Sequence, residues 1–177
     1  MEIYEVLQRD HVELKQSLSE LISLKEDDEY RFVLMEEISN ALVPHSRAEE
    51  AVFYNTLRAV NADKSLVRHG YKEHLEAETL LRTMQIMDKL DVSWKATAEK
   101  LLDAVSHHIN DEETDIFTEA RSVFTSEEAT MMAEAFEELK AKVSQEGIVK
   151  NTMDMVINMM PPKFADKIRD IGTGSQA

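Results

Sequence analysis

The chain has 177 residues, 43% apolar and 31% charged, with a net charge of -15 and no cysteine. That size and mixture suit one soluble domain with a sizeable core. The acidity argues against nucleic acid and anionic membrane surfaces as partners, because phosphates need clustered Lys and Arg, and the lack of cysteine excludes disulfides, iron–sulfur ligation and thiolate zinc sites. Only four glycines and three prolines are present, which favours long helices over a turn-rich β fold. No apolar run approaches a membrane span. The opening Met1-Glu2-Ile3-Tyr4-Glu5 lacks the basic and apolar regions of a secretion signal, so the expected location is cytoplasmic.

The periodicity predicts helices throughout. Residues 2–25 carry Ile3, Leu7, Leu14, Leu18 and Leu21 on one stripe. His11 fills the gap in that stripe and so points into the core. Glu26-Asp27-Asp28 is a polar turn. A second helix is predicted over 29–59, with Ile38, Leu42, His45, Glu49, Val52 and Thr56 in line. Pro44 inside it removes one backbone hydrogen bond, which predicts a bend beside His45. Asn61-Ala62-Asp63 closes that helix, and a third spans 64–90 with Val67, Tyr71, His74, Leu81 and Met84 inward. Asp91-Val92-Ser93 reads as a turn with Ser93 as N-cap. The fourth helix spans 94–123, with Leu101, Val105, His108, Glu112 and Ile116 on its stripe. Thr125-Ser126-Glu127-Glu128 reads as a capping box that opens a fifth helix to about residue 144. Gly147 breaks it, residues 148–160 are apolar and methionine-rich, and Pro161-Pro162 stop them. The tail from Gly172 is expected to be disordered.

Two stretches within these helices match. His45-Ser46-Arg47-Ala48-Glu49-Glu50 and His108-Ile109-Asn110-Asp111-Glu112-Glu113 both read His, three residues, Glu-Glu. The shift between them, 63 residues, also carries His11 onto His74. Each half therefore reads His and then, 34 residues on, His-x-x-x-Glu. Histidine and glutamate four apart lie on one helix face, one turn apart. One such pair often arises by accident, but six positions obeying a single translation form a repeat.

Spacing from the turns sets the heights. His11 and His45 are equidistant from residue 28, His74 and His108 from residue 91, and His45 and His74 from about residue 60. In an up-down-up-down bundle, residues equidistant from a turn share a level. The four imidazoles then form one inward layer, with Glu49 and Glu112 roughly 5.4 Å along their helices. Any one of these histidines is more often a satisfied core residue than a ligand. All six residues together fail as plain core, because two buried carboxylates without cationic partners are very unfavourable and no lysine or arginine is expected in the layer. A bound cation resolves the conflict. Imidazole with carboxylate suits iron, zinc, copper or manganese, and the two carboxylates are placed to bridge two ions, with two histidines on each.

On these six residues the chain from 1 to 123 resembles the hemerythrin-like, HHE cation-binding family, whose pattern is His, His-x-x-x-Glu, His, His-x-x-x-Glu. The resemblance implies an all-α, up-down-up-down four-helix bundle over 1–123; the pattern beyond it predicts a C-terminal helical extension with a disordered tail over 124–177. It implies a non-haem di-iron centre, two iron ions bridged by oxo or hydroxo. His11, His45, His74 and His108 would be terminal ligands, and Glu49 and Glu112 bridging carboxylates. It implies binding of oxygen, nitric oxide or peroxide. The alternatives are an iron- or oxygen-responsive sensor or interaction module, and iron handling or repair of iron centres. Repair relatives usually carry a cysteine-bearing segment that is missing here. An enzymatic version would be redox activity toward oxygen, peroxide or nitric oxide, with no catalytic residue assigned. Ferritin-like di-iron bundles need Glu-x-x-His, and no histidine here has a glutamate three residues before it.

One position departs from the oxygen carriers, which place a fifth histidine four residues after the third ligand. Glu78 stands there, and its counterpart in the first half is Lys15. Three roles are open to Glu78: an additional ligand, an outer-shell partner or a solvated residue. The departure weighs against reversible oxygen carriage. The C-terminal extension is expected to serve a homodimer or a protein partner.

Other residues are set aside. His107 breaks the repeat register, and His69 lies about 140° around the helix from His74, on the surface. Glu50 and Glu113 repeat, but face away from their own histidines; a solvated or outer role is expected for them. Tyr71 reads as a core aromatic. Met131, Met132, Met153, Met155, Met159 and Met160 read as packing residues rather than soft-metal ligands.

Overall fold

The structure, a computed structural model, describes residues 1–60, 62–87 and 93–146. Those residues form five helices and no strand. Helix α1 is Ile3–Ser23. Helix α2 covers 30–59 without a break, as Tyr30–Glu49, a π-helical turn Glu50–Tyr54, and Asn55–Ala59. Helix α3 is Lys64–Met87. Helix α4 covers 95–123 in the same way, as Lys95–Asp111, a π turn Glu112–Ile116, and Phe117–Val123. Helix α5 is Ser126–Glu146. The expected turn residues Asn61, Asp91 and Val92, the break at Gly147, the methionine-rich stretch and the tail lie outside the described residues.

Short polar side chains start these helices by accepting free backbone N–H groups. Asp28 accepts from the Tyr30 N–H at 2.9 Å and Asp63 from the Ser65 N–H at 2.7 Å. The capping box opening α5 is present, with the Thr125 N–H on Glu128 at 2.9 Å and the Glu128 N–H on Thr125 at 3.3 Å. Ser93 does not cap α4. Trp94 occupies the cap position and the Ser93 hydroxyl is drawn instead to the Glu26 carboxylate. The Trp94 indole donates to the Glu26 carbonyl at 3.1 Å, which ties the two turns at that end of the bundle together. A charged acceptor on a neighbouring loop has outcompeted the local cap.

Helix α1 packs on α2 and α4, and α3 packs on α4 and α2, which closes a four-helix bundle; α5 lies across α1 and α2 on the outside. Two apolar clusters fill it. One holds Leu14, Leu18, Leu21, Leu34, Ile38 and Leu101. The other holds Ile3, Leu7, Val52, Phe53 and Phe117, with Phe136 and Leu139 from α5. Burying one such Leu, Ile or Phe contributes roughly 1.5–3 kcal/mol. The histidine layer lies between the clusters. Both π turns occur where α2 and α4 leave that layer. Their i→i+5 bonding fits one extra residue into the turn. Ala51, Val52, Phe53 and Tyr54 are consequently all buried, with α5 covering the side that a surface helix would turn to water. No helix among the described residues is long and apolar enough to cross a membrane.

Candidate metal centre

The four histidines and two glutamates of the repeat are all buried and meet between α1, α2, α3 and α4. The Nε2 atoms face inward. His11 Nε2 is 3.2 Å from Glu112 Oε2, and His74 Nε2 is 3.1 Å from Glu49 Oε2. His45 Nε2 lies 3.7 Å from Glu49, and His108 Nε2 lies 4.0 Å from Glu112. The His74 and His108 Nε2 atoms approach to 3.0 Å. The donors fall into two groups, His11 with His45 and His74 with His108, and Glu49 belongs to both; within each group the ligand atoms lie within 4.8 Å of one another.

The Nδ1 atoms face outward, and each meets a carboxylate. His11 meets Glu113 at 2.9 Å, His45 meets Asp10 at 3.2 Å, His74 meets Glu50 at 3.0 Å and His108 meets Glu73 at 3.1 Å. These partners obey the 63-residue shift too, Asp10 onto Glu73 and Glu50 onto Glu113. An Nδ1–H donated to a carboxylate fixes the tautomer that leaves Nε2 as a lone-pair donor. Glu50 and Glu113 thus hold the histidines of the opposite half rather than their own.

Asp10 and Glu73 were missed in the sequence. The available signal was an acidic residue immediately before the first histidine of each half. It is weak, because adjacent residues on a helix do not share a face; the contact is made across to the neighbouring helix. Cations also reach this outer shell. Arg47 pairs with Glu78 at 2.7 Å and with Glu50 at 3.1 Å, and Lys140 pairs with Asp10 at 2.6 Å. Glu78 is buried, and its Oε2 is committed to Arg47. The Tyr54 ring stacks on His74, with centroids 5.4 Å apart and planes 8° from parallel. Tyr71 lies further out, its hydroxyl donating to Asn55 Oδ1 at 3.1 Å. His69 and His107 are at the surface.

The electrostatics show what the protein alone leaves unresolved. Both oxygens of Glu49, both of Glu112 and the His11 Nε2 are buried without a hydrogen-bond partner. Burial, and then the charge of Glu112, push the Glu49 carboxyl well above the ordinary range. Burial also works to raise Glu112, but the Glu49 carboxyl and His11 outweigh it and hold it well below. Burial lowers His11, yet contacts with Glu112 and Glu113 carry it up to about 9. Burial takes His45 down to about 4 and lowers His74. Two carboxylates 0% exposed, facing each other and imidazoles, are the arrangement that a cation stabilises. Imidazole nitrogen and carboxylate oxygen are together a borderline donor set, so the residues present fit a transition-metal ion.

Residues 2–120 match the hemerythrin HHE cation binding domain family. Among solved structures, a hemerythrin HHE cation-binding-domain protein from Mycobacterium kansasii is similar, with a TM-score of 0.68, 19% identity, and coverage of 94% of this chain and 99% of that one. A DNA nickase from a Nostoc species is 26% identical over 145 residues, which is 82% of this chain and 41% of that protein. The chain thus spans about two fifths of the length of that curated relative.

Proposed function

Because the chain belongs to the hemerythrin HHE cation-binding family, we propose that the buried layer holds two iron ions. His11 and His45 would hold one, His74 and His108 the other, and Glu49 and Glu112 would complete both sites. The orphaned Glu49 and Glu112 oxygens are the observation that carries this reading. Bound iron would supply reversible redox change and an affinity for oxygen, nitric oxide or peroxide.

The protein's own residues provide the surroundings. Asp10, Glu50, Glu73 and Glu113 orient the imidazoles through Nδ1. Leu14, Leu42, Ala77, Val105 and Ile109 line, with the histidines, a cavity of about 10 Å³. A space that small, which the metal itself would occupy, leaves no room for an organic substrate. Glu78 acts through Arg47 as an outer anchor that steadies Glu50 behind His74.

Metal analysis of protein made in iron-replete cells tests the reading, with two irons per chain expected. One zinc and no iron would sink it. Glu49→Ala and Glu112→Ala should each abolish the dinuclear centre, while Glu50→Ala should keep it with weaker affinity. Equal loss from all three would show that Glu50 also ligates.

The contact of α5 with the shell supports a sensing version of the same centre. Lys140 on α5 holds Asp10, and Asp10 holds His45, so a change of charge at the metal has a short route to an outer helix. Hydrogen exchange along α5 should then differ between the oxidised and reduced protein; identical protection in both would leave a simple binding role.

A further inference from the structure

The repeat that places Asp10 behind His45 places Glu73 behind His108, but the two carboxylates are treated differently. Asp10 is neutralised by fixed cations, Lys140 at 2.6 Å and Arg9 at 2.8 Å. Among the described residues no lysine or arginine pairs with Glu73. Glu73 is only 8% exposed, and its Oε2 faces His108 Nδ1 at 3.1 Å. Its Oε1 is buried and has no hydrogen-bond partner. That oxygen points toward the bundle surface, where three side chains converge on it. His69 Nε2 is 3.2 Å from Glu73 Oε1 and 3.6 Å from Asp111 Oδ2. His107 Nε2 is 3.8 Å from Glu73 Oε1 and 3.6 Å from Asp111 Oδ2.

We propose that His69, Glu73, His107 and Asp111 form a second metal site, at the surface of α3 and α4, that takes one divalent transition-metal ion. Each helix supplies a pair four residues apart, His69 with Glu73 and His107 with Asp111. Such pairs hold two donors side by side on one face. One ligand atom from each of the four lies within 4.8 Å of the others. An ion 2.0–2.2 Å from four tetrahedral donors separates them by about 3.3–3.6 Å. The four histidine–carboxylate spacings of 3.2–3.8 Å are already close to that, and the other two pairs, within 4.8 Å, would close up on loading. Two imidazoles select against calcium and magnesium, which want oxygen alone, and favour zinc, copper or ferrous iron. Two carboxylates cancel the ion's double charge. The ion takes the place at Glu73 that Lys140 and Arg9 take at Asp10. It is an exchangeable cation where the first half has permanent ones.

Glu73 is shared. One oxygen faces the outer ion and the other holds the His108 ring. Loading the outer site draws charge away from the oxygen that accepts from His108, which makes that imidazole a weaker donor inward. This coupling rests on the di-iron reading; the outer site itself does not.

The test is zinc titration of the full-length, iron-loaded protein, by calorimetry and by equilibrium dialysis with elemental analysis, beside the double variant His69→Ala/His107→Ala. Both side chains are at least half exposed, at 50% and 67%, so the variant should fold. The wild type should take up one zinc per chain with its iron retained, and the double variant should lose that zinc and keep the iron. Asp111→Asn should weaken zinc binding by about tenfold or more, as loss of a supporting ligand does. Unchanged uptake in the double variant would overturn the proposal, as would a wild type that takes up none. A protein carrying no iron that still loses one zinc on the double substitution would sink the di-iron reading and leave this site standing.

Discussion

The two halves of the bundle share an inner layer and differ in what stands behind it. His11, His45 and Glu49 superimpose in register on His74, His108 and Glu112, and so do the carboxylates that hold their Nδ1 atoms. The difference begins one contact further out. Behind Asp10 stand Arg9 and, from α5, Lys140. Behind Glu73 stand His69, His107 and Asp111, with no helix among the described residues laid over them. The inner residues keep the repeat in both halves. The outer shell is free to diverge, since any group that neutralises the carboxylate keeps the imidazole in place. One half uses charges that cannot leave, the other uses groups that can exchange.

Removing the metal tests the shared layer, and its effect should be the largest. The apo-protein keeps two buried carboxylates in contact with imidazoles and nothing between them. An ion bound at 1,000 times its Kd stabilises by about 4 kcal/mol, which for a chain of this size is about 8–16 °C in Tm. Calorimetry of loaded and stripped protein should show a drop of that order. Equal melting temperatures would mean that the layer is stable as plain core.

The apo-protein should then separate the halves by pH. His11 is raised to about 9 through Glu112 and Glu113, against burial. Its pKa in the unfolded chain is about 6.5, so the folded state holds the extra proton between these values. Its contribution is complete below about pH 6.5 and is lost as pH rises toward 9, on the order of 3 kcal/mol in all. His74 goes the other way. Burial lowers it, with the nearby His108 adding to the effect against Glu50. Its contribution is present above pH 6.5 and is lost as pH falls toward its lower value. Nitrogen NMR titration of stripped protein should show His11 still charged at pH 8 and His74 neutral. The same pKa for both would erase the distinction between the halves.

How much of this was legible follows the same division. The bundle was read from apolar stripes that turned out buried almost residue for residue, from Ile3 to Ile116. The inner layer was read from one translation, because ligands on a single helix must repeat at helical spacing. The outer shell was not read, because Asp10 reaches His45 and Glu113 reaches His11 across helix boundaries, where linear spacing carries no signal. Helix α5 was legible as a helix from its capping box. Its contacts through Lys140 and Phe136 to Asp10 and His45 were not, since nothing local fixes where an added helix docks. Ser93 departs from its capping pattern because a local cap competes with partners, here Glu26, that only the fold brings near.

The fixed and exchangeable charges can be compared directly with Asp10→Asn and Glu73→Gln. Asp10→Asn leaves Lys140 and Arg9 with Glu137 as their remaining carboxylate and breaks charged hydrogen bonds, each worth about 1.5–3 kcal/mol. Burial raises the Asp10 carboxyl, but His45, Lys140 and Arg9 together hold it well below the usual range, so the carboxylate is the form these contacts stabilise. Glu73→Gln strands no permanent cation and should cost less than about 1 kcal/mol in urea unfolding of the zinc-free protein. Both should weaken iron affinity by about 10–100-fold, since each removes the carboxylate behind one imidazole. A stability loss at Glu73 equal to that at Asp10 would mean that a fixed cation serves it after all.

The smallest expected effect is at the one large aromatic beside the layer that breaks the repeat. Tyr54 corresponds to Phe117, and Gly70 corresponds to Leu7. The two departures belong together. A Cβ on Gly70 would meet the Tyr54 hydroxyl at 2.5 Å and two carbons of its ring at 2.7 and 2.8 Å, so the glycine makes room for the ring edge as well as for the oxygen. The hydroxyl is fully buried without a hydrogen-bond partner, and burial followed by the charges of Glu112 and Glu49 pushes its pKa well above the ordinary range. It therefore stays protonated. Tyr54→Phe removes a buried hydroxyl beside the Glu112 carboxylate and keeps the ring stacked on His74, so it should change stability by less than about 1 kcal/mol. Gly70→Ala in the wild type should destabilise by about 1–3 kcal/mol through overpacking against the same oxygen. Combined with Tyr54→Phe, the penalty should shrink, because part of the obstacle is gone. Urea unfolding of the four proteins as a double-mutant cycle measures that coupling. Strict additivity would show that the glycine serves the ring of Tyr54 rather than its hydroxyl.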